Sequence, residues 1–173
     1  TQVSQARKDW QRGQQSWSQK KGSAHRAKTN LSRTRNQLKA KERMVTSAQR
    51  TLSQSQRDLD EKGKRLKMAS QEVDRARLEF GRAGAEGDAR RRAESTLMDA
   101  ERNRKNTERS LSQVKGIHAR HLARVTGAQN DHRAALDQAR KIEEAEPIAW
   151  RELAEALRTR DSAKRTHDVG SAH

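Results

Sequence analysis

The sequence has no cysteine and no tyrosine, one phenylalanine, three tryptophans and a single proline among its 173 residues. Without cysteine there can be no disulfide framework, no thiolate metal ligand and no cysteine nucleophile. No apolar run approaches the roughly 18 residues that a transmembrane helix needs. The sequence therefore predicts neither a disulfide-stabilised domain nor a membrane-spanning segment, and it contains no motif for a cofactor.

Charged residues are abundant instead. They make up 36% of the chain, and hydrophobic residues only 30%, whereas an ordinary globular domain is about 45–50% apolar. A chain this polar either stays disordered or buries a narrow apolar stripe along long helices. The many Ala, Arg, Gln, Glu, Lys and Leu residues favour helices.

Apolar residues recur at every seventh position through the first half of the chain. All twelve of these positions, which we label a, are apolar: Val3, Trp10, Trp17, Ala24, Leu31, Leu38, Val45, Leu52, Leu59, Leu66, Val73 and Phe80. The d positions between them, from Ala6 to Ala83, are mostly small or polar. A period of seven held over this length predicts a left-handed coiled coil.

The repeat stops in a segment with three glycines, Gly81, Gly84 and Gly87, at the middle of the chain. A second heptad series follows, with a positions from Leu97 and d positions from Ala93. Glycine near both helix ends is typical of a stop, a turn and a restart. We therefore predict an all-α fold: a long antiparallel two-helix coiled-coil hairpin with a turn near residues 81–88. The alternative is one continuous helix in a parallel homodimer, which would carry the three glycines in its interior at up to about 1 kcal/mol each.

In an antiparallel helix pair, the residue numbers of two facing residues always add to the same value, which defines the register. The two apolar stripes allow two registers, with sums of 166 or 173. With 166, Trp10 faces Ala156, Trp17 faces Ala149, and large residues repeatedly face small ones. In this register the least favourable layer of the seam has two cations, Lys62 and Arg104, facing each other. With 173 that clash disappears, but Ala27 faces Glu146. We favour 166 from the sequence.

Pro147 suits the first turn of a new helix, so we expect a break there. The predicted organisation is a first arm over residues 1–80, a turn over 81–88, a second arm over 89–146, a terminal helix over 147–165 and a flexible tail over 166–173. The terminal helix is expected to pack on the base of the hairpin. The residues predicted to form this base are Trp10, Trp17, Ala149, Trp150 and Ala156.

The net charge of +16 is unevenly distributed. Residues 1–57 contain 14 Lys and Arg residues against two acids, Asp9 and Glu42. Such a segment attracts nucleic acid, anionic lipid or an acidic protein surface. We expect polyanion or acidic-partner contacts from nine residues of this segment: Lys20, Lys21, Arg26, Lys28, Arg33, Arg35, Lys39, Lys41 and Arg43.

Two further groups of side chains are candidates for contacts. The turn could reach a partner through Arg82, Arg90, Arg91 and Arg92. His118 and His121 have a spacing that could bind a metal ion, but they fall on seam positions together with His132, which favours polar layers that fix the register.

No nucleophile and base occur at a catalytic spacing, so we expect no enzymatic activity.

Heptads over two arms, a mid-chain turn and a positive charge give the chain an architecture that resembles the two-helix stalk proteins of flagellar and type III export machines. Those proteins insert the end that carries both termini into an ATPase ring. No specific motif is shared, so no functional residue is carried over. The resemblance implies a non-enzymatic rod that docks into a larger assembly, in one or several copies, through an acidic protein surface.

The alternative function is a nucleic-acid-associated structural protein, such as an internal virion or ejection component that makes phosphate contacts only. The expected location is the cytoplasm or the inside of a virion.

Overall fold

The computed structural model describes residues 2–171 and confirms the predicted helical hairpin. Helix α1 spans Gln2–Arg82 and helix α2 spans Asp88–Ser171, and the two helices pack against each other. No strand occurs within the described residues. The described helices contain no stretch that is long and apolar enough to cross a lipid bilayer.

The chain forms two compact units. The terminal unit comprises Thr1–Arg43 with Asn130–His173, and the turn unit comprises Met44–Gln129. In each unit, a part of α1 runs antiparallel to a part of α2. Gly13 lies against the backbone of Arg160 in the terminal unit, and Ser55 Oγ lies 3.0 Å from His118 Nδ1 in the turn unit.

The seam between the helices has a core of small residues. Ala24 is fully buried in the terminal unit, and Ala48, Ala69, Val73 and Ala76 are buried in the turn unit. The large seam residues, such as the tryptophans and leucines, are only half-buried. The predicted a and d positions are all buried or half-buried except Val3, which is 47% exposed. Two helices bury a stripe rather than a closed core, and the sequence supplies the apolar residues for that stripe alone.

The register is the one that the sequence analysis did not favour. The facing pairs Gly13 with Arg160 and Ser55 with His118 have numbers that add to 173. This register moves Lys62 away from Arg104, which instead lies 3.7 Å from Glu108 of its own helix. The observed register thus removes the two facing cations, at the expense of some layers in which a large residue faces a small one.

The charge at Glu146, which counted against this register, is satisfied locally. The Glu146 carboxylate accepts a 2.7 Å hydrogen bond from the Trp150 indole, one helical turn further along. A carboxylate that keeps such a bond and is only half-buried destabilises the seam much less than an unpartnered one would.

Helix α2 continues through Pro147, so the break predicted there does not occur and the second arm and the terminal helix are one element. Pro147 lies at an exposed position on the side of α2 away from α1. The carbonyl that loses its helical partner there can bind water, so packing on the seam holds the helix together across the proline. Of the predicted tail, residues 166–171 are helical, and residues 172–173 lie outside the described part.

The turn is close to its predicted position, with residues 83–87 outside the helices. Gly87 has a φ of 108°, a conformation that L side chains rarely adopt. Its carbonyl accepts the first hydrogen bond of α2, from the Arg91 amide at 3.2 Å. Asp88 then places a negative charge in the first turn of α2, where the helix dipole favours it.

Gly13 provides a test of the close approach between the helices. A Cβ atom there would lie 3.1 Å from the Arg160 Cα atom, so Gly13→Ala must push two backbones apart. Gly22→Ala, in the same unit and helix, meets only the Arg26 side chain at 3.7 Å. We expect Gly22→Ala to raise the free energy of unfolding by about 0.5–1 kcal/mol through helix propensity. Gly13→Ala should show no such gain, as measured by urea unfolding followed by circular dichroism. Equal gains in the two variants would show that the helices do not approach closely at Gly13.

Candidate functional site

The side of α1 that faces away from α2 has an unusual composition in the terminal unit. We call heptad positions b, c and f from Ser4 to Arg43 the α1 outer face. Its 18 positions contain no acidic residue and no large apolar residue, and 17 of them are exposed. Six of them are cations: Lys8, Arg12, Arg26, Arg33, Lys39 and Arg43. Nine others are Ser, Thr, Asn or Gln.

The corresponding side of α2 in the same unit provides a matched comparison. We call positions b, c and f from Asn130 to Val169 the α2 outer face, which also has 18 positions and six Lys or Arg residues. It carries five acids in addition: Asp137, Glu144, Glu155, Asp161 and Asp168. The two faces therefore carry the same number of cations, and only the α1 outer face has a single sign of charge.

The nine predicted contact residues divide into two groups. Lys20, Arg35 and Lys41 form ion pairs with α2, and the other six have no carboxylate partner among residues 2–171. Of these six, Arg26, Arg33, Lys39 and Arg43 belong to the α1 outer face, whereas Lys21 and Lys28 lie beside the seam. The predicted role of all nine in binding stays a prediction, and the structure shows which of them are not already paired with a carboxylate.

The three ion pairs cross from one helix to the other. Their shortest N–O distances are 2.6 Å for Lys20 with Glu152, 3.3 Å for Arg35 with Glu143 and 3.6 Å for Lys41 with Asp131. All these side chains are more than a third exposed, so each pair contributes roughly 0–1 kcal/mol. Their main effect is that acids of α2 neutralise three cations in or beside the seam. Among residues 2–171, the one ion pair of an α1 outer-face cation joins Arg12 to Asp9 of its own helix, at 3.9 Å.

A shallow groove on α1 takes in five positions of the outer face, together with Lys28 and Gln37 beside it. It is lined by cations and by hydroxyl and amide groups, namely Lys28, Thr29, Ser32, Arg33, Asn36 and Gln37, with Ala40. Next to it, the Arg26 guanidinium donates a 3.2 Å hydrogen bond to Ser23 Oγ. The groove thus offers several hydrogen-bond donors next to positive charge.

The predicted base residues lie in the terminal unit, where Trp10 and Trp17 are half-buried. Trp17 has the Arg160 guanidinium 4.5 Å from its ring centroid on the seam side and the Lys21 ammonium at 5.0 Å. Trp10 stacks on His167, with 5.5 Å between ring centroids. In the observed register Trp17 faces Ala156, and Ala149 faces Ala24 rather than Trp17.

Trp150 is engaged with polar neighbours. Its ring meets His25 edge-on at 5.7 Å between centroids, and its indole N–H donates to Glu146. Arg160 and His167 were not predicted as partners of the tryptophans. Extending the a positions of the second arm beyond Pro147, to 146, 153, 160 and 167, places both residues in the seam.

At the turn, the four predicted contact arginines differ. Arg90 is half-buried: it donates a 2.9 Å hydrogen bond to the Phe80 carbonyl, and its guanidinium lies 3.4 Å from the Phe80 ring centroid. It therefore joins the end of α1 to the start of α2. Arg82, Arg91 and Arg92 are exposed, and their contact with a partner stays a prediction.

Two of the seam histidines, His118 and His132, have polar groups of the other helix nearby. Ser55 donates to the Leu52 carbonyl at 2.9 Å and also lies within hydrogen-bond distance of His118. His132 Nε2 lies 3.7 Å from the Glu42 carboxylate. Among residues 2–171, no three His, Cys, Asp or Glu side chains are grouped so that they could hold a metal ion.

Comparisons of the chain with protein-family models, with curated proteins and with solved structures find no match. The candidate site is therefore defined by its own geometry and charge.

Trp10 provides a test of the base. Its indole nitrogen is buried without a hydrogen-bond partner among the described residues, which costs about 1–3 kcal/mol. Trp10→Phe keeps a ring against His167 and removes this nitrogen, so we expect it to leave the melting temperature unchanged or higher. Trp10→Ala removes the ring and should lower the free energy of unfolding by about 3 kcal/mol or less. Thermal unfolding followed by circular dichroism measures both, and an equal loss in the two variants would show that the indole nitrogen has a partner.

Proposed function

We propose that the protein is a non-enzymatic interaction protein whose coiled-coil hairpin docks onto a polyanionic component of a larger assembly through the α1 outer face. The observation that carries this proposal is the single sign of charge on that face. Six cations and no acid occupy its 18 positions, while the matched face of α2 mixes six cations with five acids.

A face of one charge sign is not needed to keep a helix in water. Acidic and basic side chains four residues apart on a helix stabilise it by about 0.2–0.5 kcal/mol a pair, and like charges at this spacing destabilise it by similar amounts. Lys39 and Arg43 are such a like-charged pair. The α1 outer face gives up this local stabilisation, which a bound polyanion would restore.

The pairing of the helices supports a binding role rather than catalysis. The seam takes up the large apolar side chains of the a positions, and the grooves on the described residues lie open on the helix surfaces, as the one beside Arg33 does. Catalytic sites instead need a pocket that excludes water and holds the reacting groups together.

Two kinds of assembly are compatible with this function. An export machine would offer an acidic protein surface in the cytoplasm, and a virion would offer packaged nucleic acid inside the particle. The chemistry of the partner separates these settings.

Two matched variants test whether binding belongs to the α1 outer face. One replaces Arg26, Arg33, Lys39 and Arg43 by Gln. The control replaces four exposed cations of the α2 outer face, Arg140, Lys141, Arg151 and Arg158, by Gln. Each set holds three Arg and one Lys, so the net charge falls equally in both. On a heparin column developed with a salt gradient, we expect the α1 variant to elute well before the control variant, because only the α1 face binds the sulfated polymer as a unit.

Circular dichroism at 222 nm verifies that both variants remain helical. Because Gln is a good helix former and all eight positions are exposed, neither variant should unfold. Elution of the two variants at the same salt concentration would refute the proposal, since retention would then depend on net charge alone.

A further inference from the structure

The α1 outer face has the side-chain chemistry of a surface that contacts phosphate groups. Arg and Lys bind phosphate oxygens, and so do Ser, Thr, Asn and Gln, which together make most protein contacts to a nucleic-acid backbone. These residue types fill 15 of the 18 positions. In the groove on this face, Thr29, Ser32 and Asn36 lie among Lys28 and Arg33, so neutral donors and cations are placed side by side.

The face lacks what a protein partner would need. The centre of a protein–protein interface is enriched in aromatic residues and Met, and a few such anchors supply most of the affinity. The largest apolar residue on the α1 outer face is Ala40. An acidic protein surface would therefore find charge there but nothing to bury.

A membrane surface is also a poor match. A helix that binds at a lipid interface inserts large apolar side chains on the side next to its cations. The apolar side of α1 is instead packed against α2, with Ala24 fully buried.

Single-stranded nucleic acid is disfavoured by the positions of the aromatic residues. Proteins that bind single strands stack the bases on exposed aromatic side chains. Trp10 and Trp17 are half-buried and already in contact with His167 and Arg160. A duplex, which presents its phosphates and keeps its bases stacked inside, needs no such platform.

We infer that the partner of the α1 outer face is the sugar–phosphate backbone of duplex nucleic acid, an inference that rests on the proposed function. From Lys8 to Arg43 the face extends about 52 Å at 1.5 Å per residue, and a duplex carries one phosphate charge per about 1.7 Å of its axis. Several phosphates can therefore be neutralised at once. Contacts to phosphates alone read no base edges, so binding is independent of sequence.

Salt dependence gives this inference a quantitative test. Each phosphate contact adds about −0.9 to the slope of log K against log salt concentration for B-DNA. With six contacts, affinity falls about 1,000-fold between 50 and 200 mM salt. Losing four cations from the face should make the slope less steep by about 3.6.

The experiment measures fluorescence anisotropy of labelled duplexes of about 20 base pairs, longer than the face at 3.4 Å per base pair. The full chain, the α1 variant and the α2 control variant are compared in a salt series. We expect wild-type protein and the α2 control to share a steep slope and the α1 variant to lose most of it. AT-rich and GC-rich duplexes should bind equally. A further variant, with Arg26, Arg33 and Arg43 replaced by Lys, keeps the charge and should keep the slope.

Competition with other polyanions completes the test. Binding of poly-L-glutamate as tightly as the duplex, lost in the α1 variant, would overturn the inference in favour of an acidic protein partner and leave the proposed function standing. Tighter binding of a single strand than of the duplex would also overturn it. If neither duplex nor poly-L-glutamate distinguishes the α1 variant from the α2 control, the proposed function itself fails.

Discussion

The interaction on which the structure depends is the close packing of two apolar stripes along the helices. With 30% hydrophobic residues, the chain has enough apolar side chains to bury one narrow stripe along each helix, but not enough for a globular core. The most buried seam residues are small, with Val73 the largest that is fully buried. Small residues let helix backbones approach, and at Gly13 the approach to Arg160 leaves little room even for a methyl group. The helix bounds, the register and the contacts of the tryptophans all follow from keeping the apolar stripe of α1 packed against that of α2.

A seam that takes up the large apolar a-position residues leaves most positions of the outer faces exposed, although His25 of the α1 outer face still meets the Trp150 ring. The two outer faces of the terminal unit belong to helices of the same unit, have equal numbers of positions and carry equal numbers of cations. The proposed binding to a polyanion would account for the absence of acids from one of them.

The heptads and the central glycines were sufficient to predict the hairpin, because a period of seven and a helix stop are local signals. The register was predicted wrongly because shifting by one heptad leaves every seam position in the seam. The choice depended on single side chains: the bond from Trp150 to Glu146 removed the objection to the observed register. Pro147 was misjudged because a proline signal in the sequence does not show that the residue faces solvent on a helix held along its other side.

For the candidate site, the positive charge of residues 1–57 identified the basic residues, but it did not show which of them pair with acids of α2. Lys20, Arg35 and Lys41 are close in sequence to Arg33 and Lys39, yet they pair with acids of α2. Heptad positions separate the two groups only in part. Cations at b, c and f do not reach the other helix, but Lys21 and Lys28, which lie beside the seam as Arg35 does, also have no carboxylate partner among residues 2–171. In the terminal unit, α1 has twelve Lys and Arg residues against two acids, and the α2 part has eight against nine. In the proposed docking, this charge distribution would orient the unit with its α1 side toward the polyanion.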